Sequence, residues 1–285
     1  MLRRFAPLFP VLLAFLLAAT PAAAQEEANW DEQFRSQMTE WIKTIATRDP
    51  QFQQWQDATA EVQTLGANQH QWLVSLHRSG QQVGYLVIGE APDPGKKKRF
   101  VLLEYGVGEF ILFDDAFAPR EIAAEPVYDG FSSHWLVAGK HSKRMVNAKT
   151  GEAYPEAFQA SAPVMDRLPA ETLISFDGQL SETRILESTE QNPFDHIGWF
   201  HELNVNTGVT WDQLWQQPAE EVRVTLTVPL HRGQVLAPFV VGTLHLWNDS
   251  RPYVGVWDEG LRFLPFSYVE QVGTFHVNKT SSPSE

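Results

Sequence analysis

Residues 71–89 read QWLVSLHRSGQQVGYLVIG, and their pattern indicates the class of fold. Two runs rich in apolar and β-branched residues flank Ser79-Gly80, a pair that is typical of a tight turn. The pattern predicts a β-hairpin with strands over 72–77 and 83–89. A further run, FVLLEY at 100–105, predicts a third strand.

The sequence before the hairpin predicts two amphipathic helices. Five apolar side chains of the first helix recur every three or four residues and therefore share one face: Trp30, Phe34, Met38, Trp41 and Ile45. This helix is predicted to end at Asp49-Pro50, because proline disfavours the α conformation in the residue before it. The second helix is predicted to carry its apolar face from Phe52 to Leu65 and to end at Gly66.

The sequence after the hairpin predicts mainly short strands. They fall at 110–113, 134–138, 143–148, 222–228, 240–247, 253–257, 261–264 and 274–277, with a short helix at 265–271. Helices followed by strands favour an α+β architecture with antiparallel sheets. We expect an N-terminal helix pair packed on an antiparallel sheet (25–160), then a second, smaller α+β domain with its own antiparallel sheet (161–277), and a disordered tail (278–285).

The first residues have the three parts of a secretory signal peptide. Arg3 and Arg4 give a basic start, an apolar run covers 8–19, and Ala22-Ala23-Ala24 offers a cleavage site. We therefore expect a signal peptide over 1–24 and a secreted bacterial protein, either extracellular or periplasmic. The apolar run is shorter than the roughly 20 residues that span a bilayer, so no stable membrane insertion is expected after cleavage.

The composition excludes several classes of function. The 285 residues include 35 Asp and Glu but only 22 Lys and Arg, which gives a formal net charge of −13. Nucleic acid is not an expected partner, because binding its phosphates requires a basic patch. The absence of cysteine excludes disulfides, thiolate nucleophiles, cysteine-bound zinc and iron–sulfur clusters. No cofactor is predicted.

His196 and His201, with Asp195 and Glu202 beside them, form the densest group of possible metal ligands. Residues five positions apart on a helix do not share a face, so the two histidines are not spaced as ligands on one helix. The stretch HELNV at 201–205 also lacks the second histidine of the H-E-x-x-H zinc motif. We interpret these residues as ordinary polar side chains of a loop.

Other catalytic patterns are absent or unspecific. The chain has no G-x-S-x-G motif, so Ser175, Ser181 or Ser267 would be arbitrary choices of nucleophile. The carboxylate pairs Asp114-Asp115 and Asp258-Glu259 are the kind that glycoside hydrolysis uses, but neighbours in an extended chain point to opposite sides. We interpret both pairs as solvated turns and assign no catalytic, cofactor-binding or metal-ligating residue.

Two further groups have one structural and one functional interpretation. Five tryptophans of the second half are interpreted as core, with a Trp-lined binding groove as the alternative: Trp199, Trp211, Trp215, Trp247 and Trp257. The basic run KKKR at 96–99 is interpreted as a solvated hairpin tip, with a site for an anionic ligand as the alternative.

Two parts of the chain resemble known families. The sequence VGYLVI at 83–88, followed by LLEYG at 102–106, resembles the propeptide-type α+β domains that accompany bacterial secreted papain-like cysteine peptidases. The sequence GTLHLWND at 242–249, with the strands that follow it, is similar to the histidine-bearing strands of papain-like peptidases of the bacteriocin-processing type. Such peptidases need a cysteine, so the resemblance implies a non-catalytic descendant with His245 at the position of the base.

These observations predict a secreted, non-catalytic binding or interaction protein. Its partner would be an exported peptidase or a ligand in the cell envelope, and strand addition at an exposed sheet edge would be the simplest way to hold it. The alternative is a secreted hydrolase that uses carboxylate, histidine or metal chemistry around His196, His201, Glu202 and His245. The two hypotheses differ in whether these four side chains meet in one cleft.

Overall fold

A computed structural model describes most of the chain after residue 20. The described residues are 21–66, 70–91, 99–109, 112–114, 116–120, 124–138, 143–158, 163–176, 178–195, 197–201, 208–219 and 221–279, with the backbone alone for 21–28 and 201. Residues 1–20 of the predicted signal peptide, residues 96–98 of the basic run and residues 280–285 of the predicted tail lie outside these ranges.

Helices are few and mostly short in the described residues. The α-helices are α1 (Pro21–Arg48), α2 (Val164–Arg167), α3 (Gly198–His201), α4 (Trp211–Trp215) and α5 (Phe266–Val272). A 3-10 helix, Pro50–Asp57, follows α1 directly. None of the helices in the described part of the chain is long and apolar enough to cross a membrane.

Strands make up the larger share of the ordered structure. They are β1 (Thr59–Leu65), β2 (Gln71–Arg78), β3 (Gln81–Ala91), β4 (Arg99–Val107), β5 (Ala124–Val127), β6 (His134–Ala138), β7 (Lys143–Asn147), β8 (Leu180–Ile185), β9 (Val222–Leu230), β10 (Val235–Trp247), β11 (Arg251–Trp257), β12 (Leu261–Pro265) and β13 (Thr274–Lys279). The hairpin predicted from residues 71–89 is confirmed as β2 and β3.

The strands form one large and one small antiparallel sheet. The large sheet has the order β1-β2-β3-β4-β12-β11-β10-β9-β13. On one of its sides the long strand β10 pairs first with β9, over Val235–Val240, and then with β8, over Thr243–Trp247. The small sheet has the order β5-β6-β7. A mixed fold built on antiparallel sheets is therefore confirmed.

The large sheet separates two apolar layers. On one face, α1 and the 3-10 helix cover the sheet, and the predicted stripe of α1 is buried from Phe34 to Ile45. On the other face, the small sheet and α5 cover it through side chains such as Trp135 and Phe266. Sheets with both faces packed in this way bury the aromatic residues that dominate the core energy.

The second predicted helix is wrong beyond residue 57. Asp49 caps the 3-10 helix by accepting a hydrogen bond from the N–H of Gln51 at 2.9 Å, and the helix ends at Asp57. The chain then extends as β1 and pairs with β2 along its whole length. The β-branched residues Thr59, Val62 and Thr64 favour this extended form, although their spacing also fits a helical face.

Two other expectations need correction or qualification. Of the strand predicted at 110–113, residues 110 and 111 lie outside the described ranges, and Leu112 and Phe113 lie in a turn. Pairing in the large sheet also crosses the expected boundary at 160/161, because β4 pairs with β12 from Tyr105 opposite Phe263 to Val107 opposite Leu261. The structure does not confirm two domains that each have a separate sheet.

Candidate functional site

The structure describes the surroundings of only one side chain in the hydrolase hypothesis. His196 and Glu202 lie outside the described residues, and only the backbone of His201 is described, at the end of α3. His245 lies in β10 and has no exposed surface. It therefore faces the core of the protein and does not line a cleft.

His245 is held by two buried hydrogen bonds. Its Nε2 lies 2.9 Å from Oδ2 of Asp49, and its Nδ1 lies 2.7 Å from the hydroxyl oxygen of Tyr105. Trp247 donates its indole N–H to the same hydroxyl oxygen at 3.0 Å. These four side chains are fully buried, and both ring nitrogens of His245 have a buried partner.

The donors and acceptors in this chain of hydrogen bonds assign the proton on His245. The indole nitrogen of Trp247 can only donate, so the hydroxyl of Tyr105 accepts from it and gives its own proton to Nδ1 of His245. The proton of the neutral ring then sits on Nε2 and is donated to Asp49. Burial lowers the pKa of His245, and it outweighs the opposing effects of the hydrogen bond and charge of Asp49. His245 is thus a neutral, fully hydrogen-bonded core residue.

The carboxylate pair Asp258-Glu259 lies in a turn, but its first member belongs to a partly buried ion cluster. Arg262 lies between two carboxylates, with Nε 2.9 Å from Oε1 of Glu104 and Nη1 2.5 Å from Oδ2 of Asp258. Nζ of Lys149 lies 3.2 Å from Oδ1 of Asp258. Burial raises the pKa of Asp258, but the positive charges of Arg262 and Lys149 have the larger combined effect and lower it. This carboxylate is held by cations and is not free for acid–base chemistry.

The three serines considered as nucleophiles do not share a site with a described histidine. The hydroxyl of Ser175 accepts a hydrogen bond from Arg99, and that of Ser181 accepts one from the backbone N–H of Asp249. Ser267 lies in α5. Ser181 lies in β8 and Ser175 lies outside the helices and strands, so the three positions give no support to a catalytic serine.

The tryptophans contribute to the core rather than to an exposed groove. Trp199 and Trp247 are buried, and Trp211, Trp215 and Trp257 are half-buried. The most exposed large apolar side chains of the described residues are Phe176, Phe194, Ile197 and Phe200. The structure therefore favours the interpretation of these five tryptophans as core.

The surface feature that sequence reasoning missed is the open edge at β1. On one side β1 pairs with β2, and no described strand pairs with it on the other side. Six of its seven residues are exposed, whereas the neighbouring strands β2 and β3 are largely buried. Such an edge presents unpaired backbone N–H and C=O groups to an incoming strand.

Two pockets flank β1 and together form what we call the edge groove. The polar pocket has a volume of about 550 Å³, and its lining includes Glu61, Gln63, Ser75, His77, Gln82 and Asp114. The apolar pocket has a volume of about 560 Å³, and its lining includes Gly66, Ala124, Pro126, Leu136 and Ala138, with Glu125 and Lys143. Thr64 lines both pockets, so they adjoin each other along the strand.

β1 lacks the features by which sheet edges usually avoid pairing. Proline, bulges, short length and clustered lysines are the usual protections. The edge strand β5 has only four residues and includes Pro126, and β7 begins with Lys143 and Arg144. β1 is seven residues long, pairs with β2 without a bulge, and has the single charged residue Glu61.

Comparisons with models of protein families, with curated proteins and with solved structures found no match. In the part of the chain that the structure describes, no group of three or more acidic or histidine side chains is arranged to hold a metal ion. The interpretation of the site therefore depends on its geometry alone.

Proposed function

We propose that this protein is a secreted, non-catalytic binding protein that holds an extended polypeptide segment by adding it as a strand to β1. The observation that carries the proposal is the open edge of β1, which is exposed along six residues and bordered by the edge groove. The proposed partner is a segment of an exported peptidase or of another polypeptide in the cell envelope. The pattern of the first 24 residues supports a location outside the cytoplasm.

The recognition combines two kinds of contact. Backbone hydrogen bonds between β1 and the bound segment supply affinity, and they depend little on the sequence of the segment. Alternate side chains of the bound strand point to the same side, where the pockets of the edge groove select among them. Because the bound segment loses conformational freedom, we expect dissociation constants in the micromolar range, about −8 kcal/mol or weaker.

The proposal is tested first by selection from a displayed library of random dodecapeptides. The bait is the mature chain, and a parallel selection uses the variant Val62→Pro, in which proline disrupts β1. The control variant is Thr39→Ala, at an exposed position of α1 that belongs to neither β1 nor the edge groove. Alanine is used there because a proline would damage α1. We expect enriched peptides to bind the mature chain and the Thr39→Ala variant but not Val62→Pro.

Hydrogen exchange then identifies the mode of binding. A bound strand should slow exchange of backbone amides in β1, and a peptide with alternate N-methylated backbone nitrogens should not bind, because it keeps its side chains but loses donors. Thermal unfolding of Val62→Pro shows whether the variant remains folded. The proposal is wrong if no peptide is enriched, or if enriched peptides bind without slowing exchange in β1.

A further inference from the structure

The edge groove differs in chemistry along its length. The polar pocket is lined by two carboxylates, Glu61 and Asp114, and no lysine or arginine lines it. The nearby Arg78 lies 3.6 Å from Asp57, so its charge is balanced locally. The apolar pocket is lined mostly by small and aliphatic side chains, and its two charged residues, Glu125 and Lys143, are of opposite sign.

Both pockets lie on the same side of the large sheet. The register of β1 and β2 places Glu61 opposite Ser75, on the face that also carries Leu73 and Leu65. These two leucines belong to the apolar layer that includes Phe113 and the residues of the small sheet. Ala124, which lines the apolar pocket, packs against the same layer.

The distance between the pockets fits the repeat of an extended strand. The polar pocket is lined by β1 residues 61–64, and the apolar pocket by Thr64 and Gly66. The middles of these two groups of residues lie two to three residues apart along the strand, which is about 8 Å at roughly 3.3 Å per residue. Side chains on one side of a strand repeat every two residues, about 7 Å. One bound strand can therefore reach both pockets with side chains two positions apart.

We infer that the edge groove selects a basic extended segment, with a lysine or arginine in the polar pocket and an aliphatic side chain two positions away in the apolar pocket. This inference rests on the proposed strand addition and adds its specificity. The two carboxylates attract the cation, and the net charge of −13 favours encounter with a basic partner. An acidic side chain in the same position would meet both carboxylates and be disfavoured.

Three peptides test the charge selectivity. They are acetylated and amidated nonapeptides of sequence TVTXTVTVT, in which X is lysine, glutamate or the uncharged norleucine. The valines two positions from X on either side allow the apolar contact in either strand direction. We expect the mature chain to bind the lysine peptide about five-fold more tightly than the norleucine peptide, and the glutamate peptide more weakly than either.

Protein variants locate the effect in the polar pocket. Glu61→Gln with Asp114→Asn should bring the lysine and norleucine peptides to equal affinity and leave binding of the norleucine peptide unchanged. The matched control is Glu32→Gln with Glu40→Gln on the exposed face of α1, which changes the net charge equally. Loss of lysine preference in this control would overturn the assignment to the polar pocket.

The remaining outcomes separate the inference from the proposed function. Equal binding of all three peptides, with slowed exchange in β1, would overturn the charge selectivity and leave strand addition standing. Enrichment of library peptides without basic residues would overturn the selectivity in the same way. A concentration-dependent dimer in sedimentation that Val62→Pro abolishes would instead show that a second copy occupies the edge, which would overturn both.

Discussion

The hydroxyl of Tyr105 joins parts of the chain that are far apart in sequence. It hydrogen-bonds to His245 and Trp247, which lie 140 and 142 residues further along. Through His245 the contact extends to Asp49, at the start of the 3-10 helix. A buried polar chain of this kind is stabilising only when each member has a partner.

Removal of that hydroxyl should be costly. Tyr105→Phe leaves Nδ1 of His245 and the indole N–H of Trp247 without partners in the core, so we expect the free energy of unfolding to fall by about 2–4 kcal/mol. Urea unfolding followed by circular dichroism measures it. The control is Tyr154→Phe, whose hydroxyl accepts a hydrogen bond from the half-buried side-chain amide of Asn147, with an expected loss of about 1 kcal/mol. Equal losses in the two variants would contradict the role of Tyr105.

The neutral state of His245 makes the protein sensitive to acid. Burial lowers the pKa of His245 in the folded state. Below the unfolded-state pKa of about 6.5, the unfolded chain therefore binds more protons than the folded chain does. The stabilisation is complete above that pH and is lost as the pH falls towards the lowered pKa. Burial also lowers the pKa of His134, which adds to the same trend.

Urea unfolding at about pH 7.5 and pH 5.5 tests this sign. We expect the free energy of unfolding of wild type to be smaller at the lower pH. In His245→Gln the free energy of unfolding should change less with pH, and one proton accounts for a difference of up to about 1.4 kcal/mol per pH unit. If His245→Gln does not fold, the NMR chemical shifts of the ring carbons of His245 in wild type report its protonation state directly. They should remain those of a neutral ring below about pH 6.5. A ring that is protonated in the folded protein at about pH 6.5 would contradict the argument.

Among the elements, α1 packs on the large sheet through one aromatic contact surface. The ring of Phe34 lies 5.3 Å from that of Trp72 on β2 and 5.2 Å from that of Phe100 on β4. Trp30 stacks on Phe34 at 5.5 Å. The helix is thus held to the sheet by side chains of the stripe that its periodicity predicted.

Truncation of this stripe should destabilise the protein strongly. Phe34→Ala removes a buried ring, and we expect it to lower the free energy of unfolding by about 3–5 kcal/mol. The neighbouring Arg35→Ala removes an exposed side chain paired with Asp31 at 2.8 Å, and its effect should stay within about 0.5 kcal/mol. Chemical unfolding of the two variants under the same conditions compares them. A small effect of Phe34→Ala would show that α1 is not part of the cooperative core.

β1 illustrates why an element can be located in sequence but given the wrong type. The spacing of Phe52, Trp55, Thr59, Val62 and Leu65 fits a helical face throughout. The first two side chains are buried in a 3-10 helix, and the other three lie in a strand. Pairing with β2 decides between the two conformations, and that pairing is a property of both segments together.

For the molecule as a whole, the partly buried ion cluster connects the large sheet to the segment after β7. Arg262 on β12 binds Glu104 on β4, and Lys149 reaches Asp258 at the end of β11. Arg262 and Glu104 are almost fully buried. Such a cluster contributes little net stability, but it becomes strongly destabilising when one member is removed.

Arg262→Met should therefore lower the free energy of unfolding by about 3–5 kcal/mol, because it leaves Glu104 charged and buried. The double variant Arg262→Met with Glu104→Gln removes the uncompensated charge and should be less destabilised than Arg262→Met alone. Arg78→Met, which breaks an exposed contact to Asp57, serves as the control and should change stability by less than about 1 kcal/mol. Additive effects in the double variant would contradict a direct coupling.

The local features of this protein could be predicted from its amino-acid sequence. Periodicity predicted the buried stripe of α1 and the hairpin of β2 and β3, and the absence of cysteine excluded thiol chemistry. Each of these depends on residues that are close in the chain or on composition. Of the candidate catalytic residues from the sequence, Asp114 lines the polar pocket of the edge groove, whereas His245 is fully buried.

The packing of the whole chain brings distant segments together. It pairs β4 with β12 across the expected domain boundary, gives His245 its partners Asp49 and Tyr105, and leaves β1 without a described partner strand on one side. A sequence pattern repeats over a few residues and reports which side of a segment is apolar. Which segment covers that side, and which edge stays uncovered, depends on how the whole chain packs.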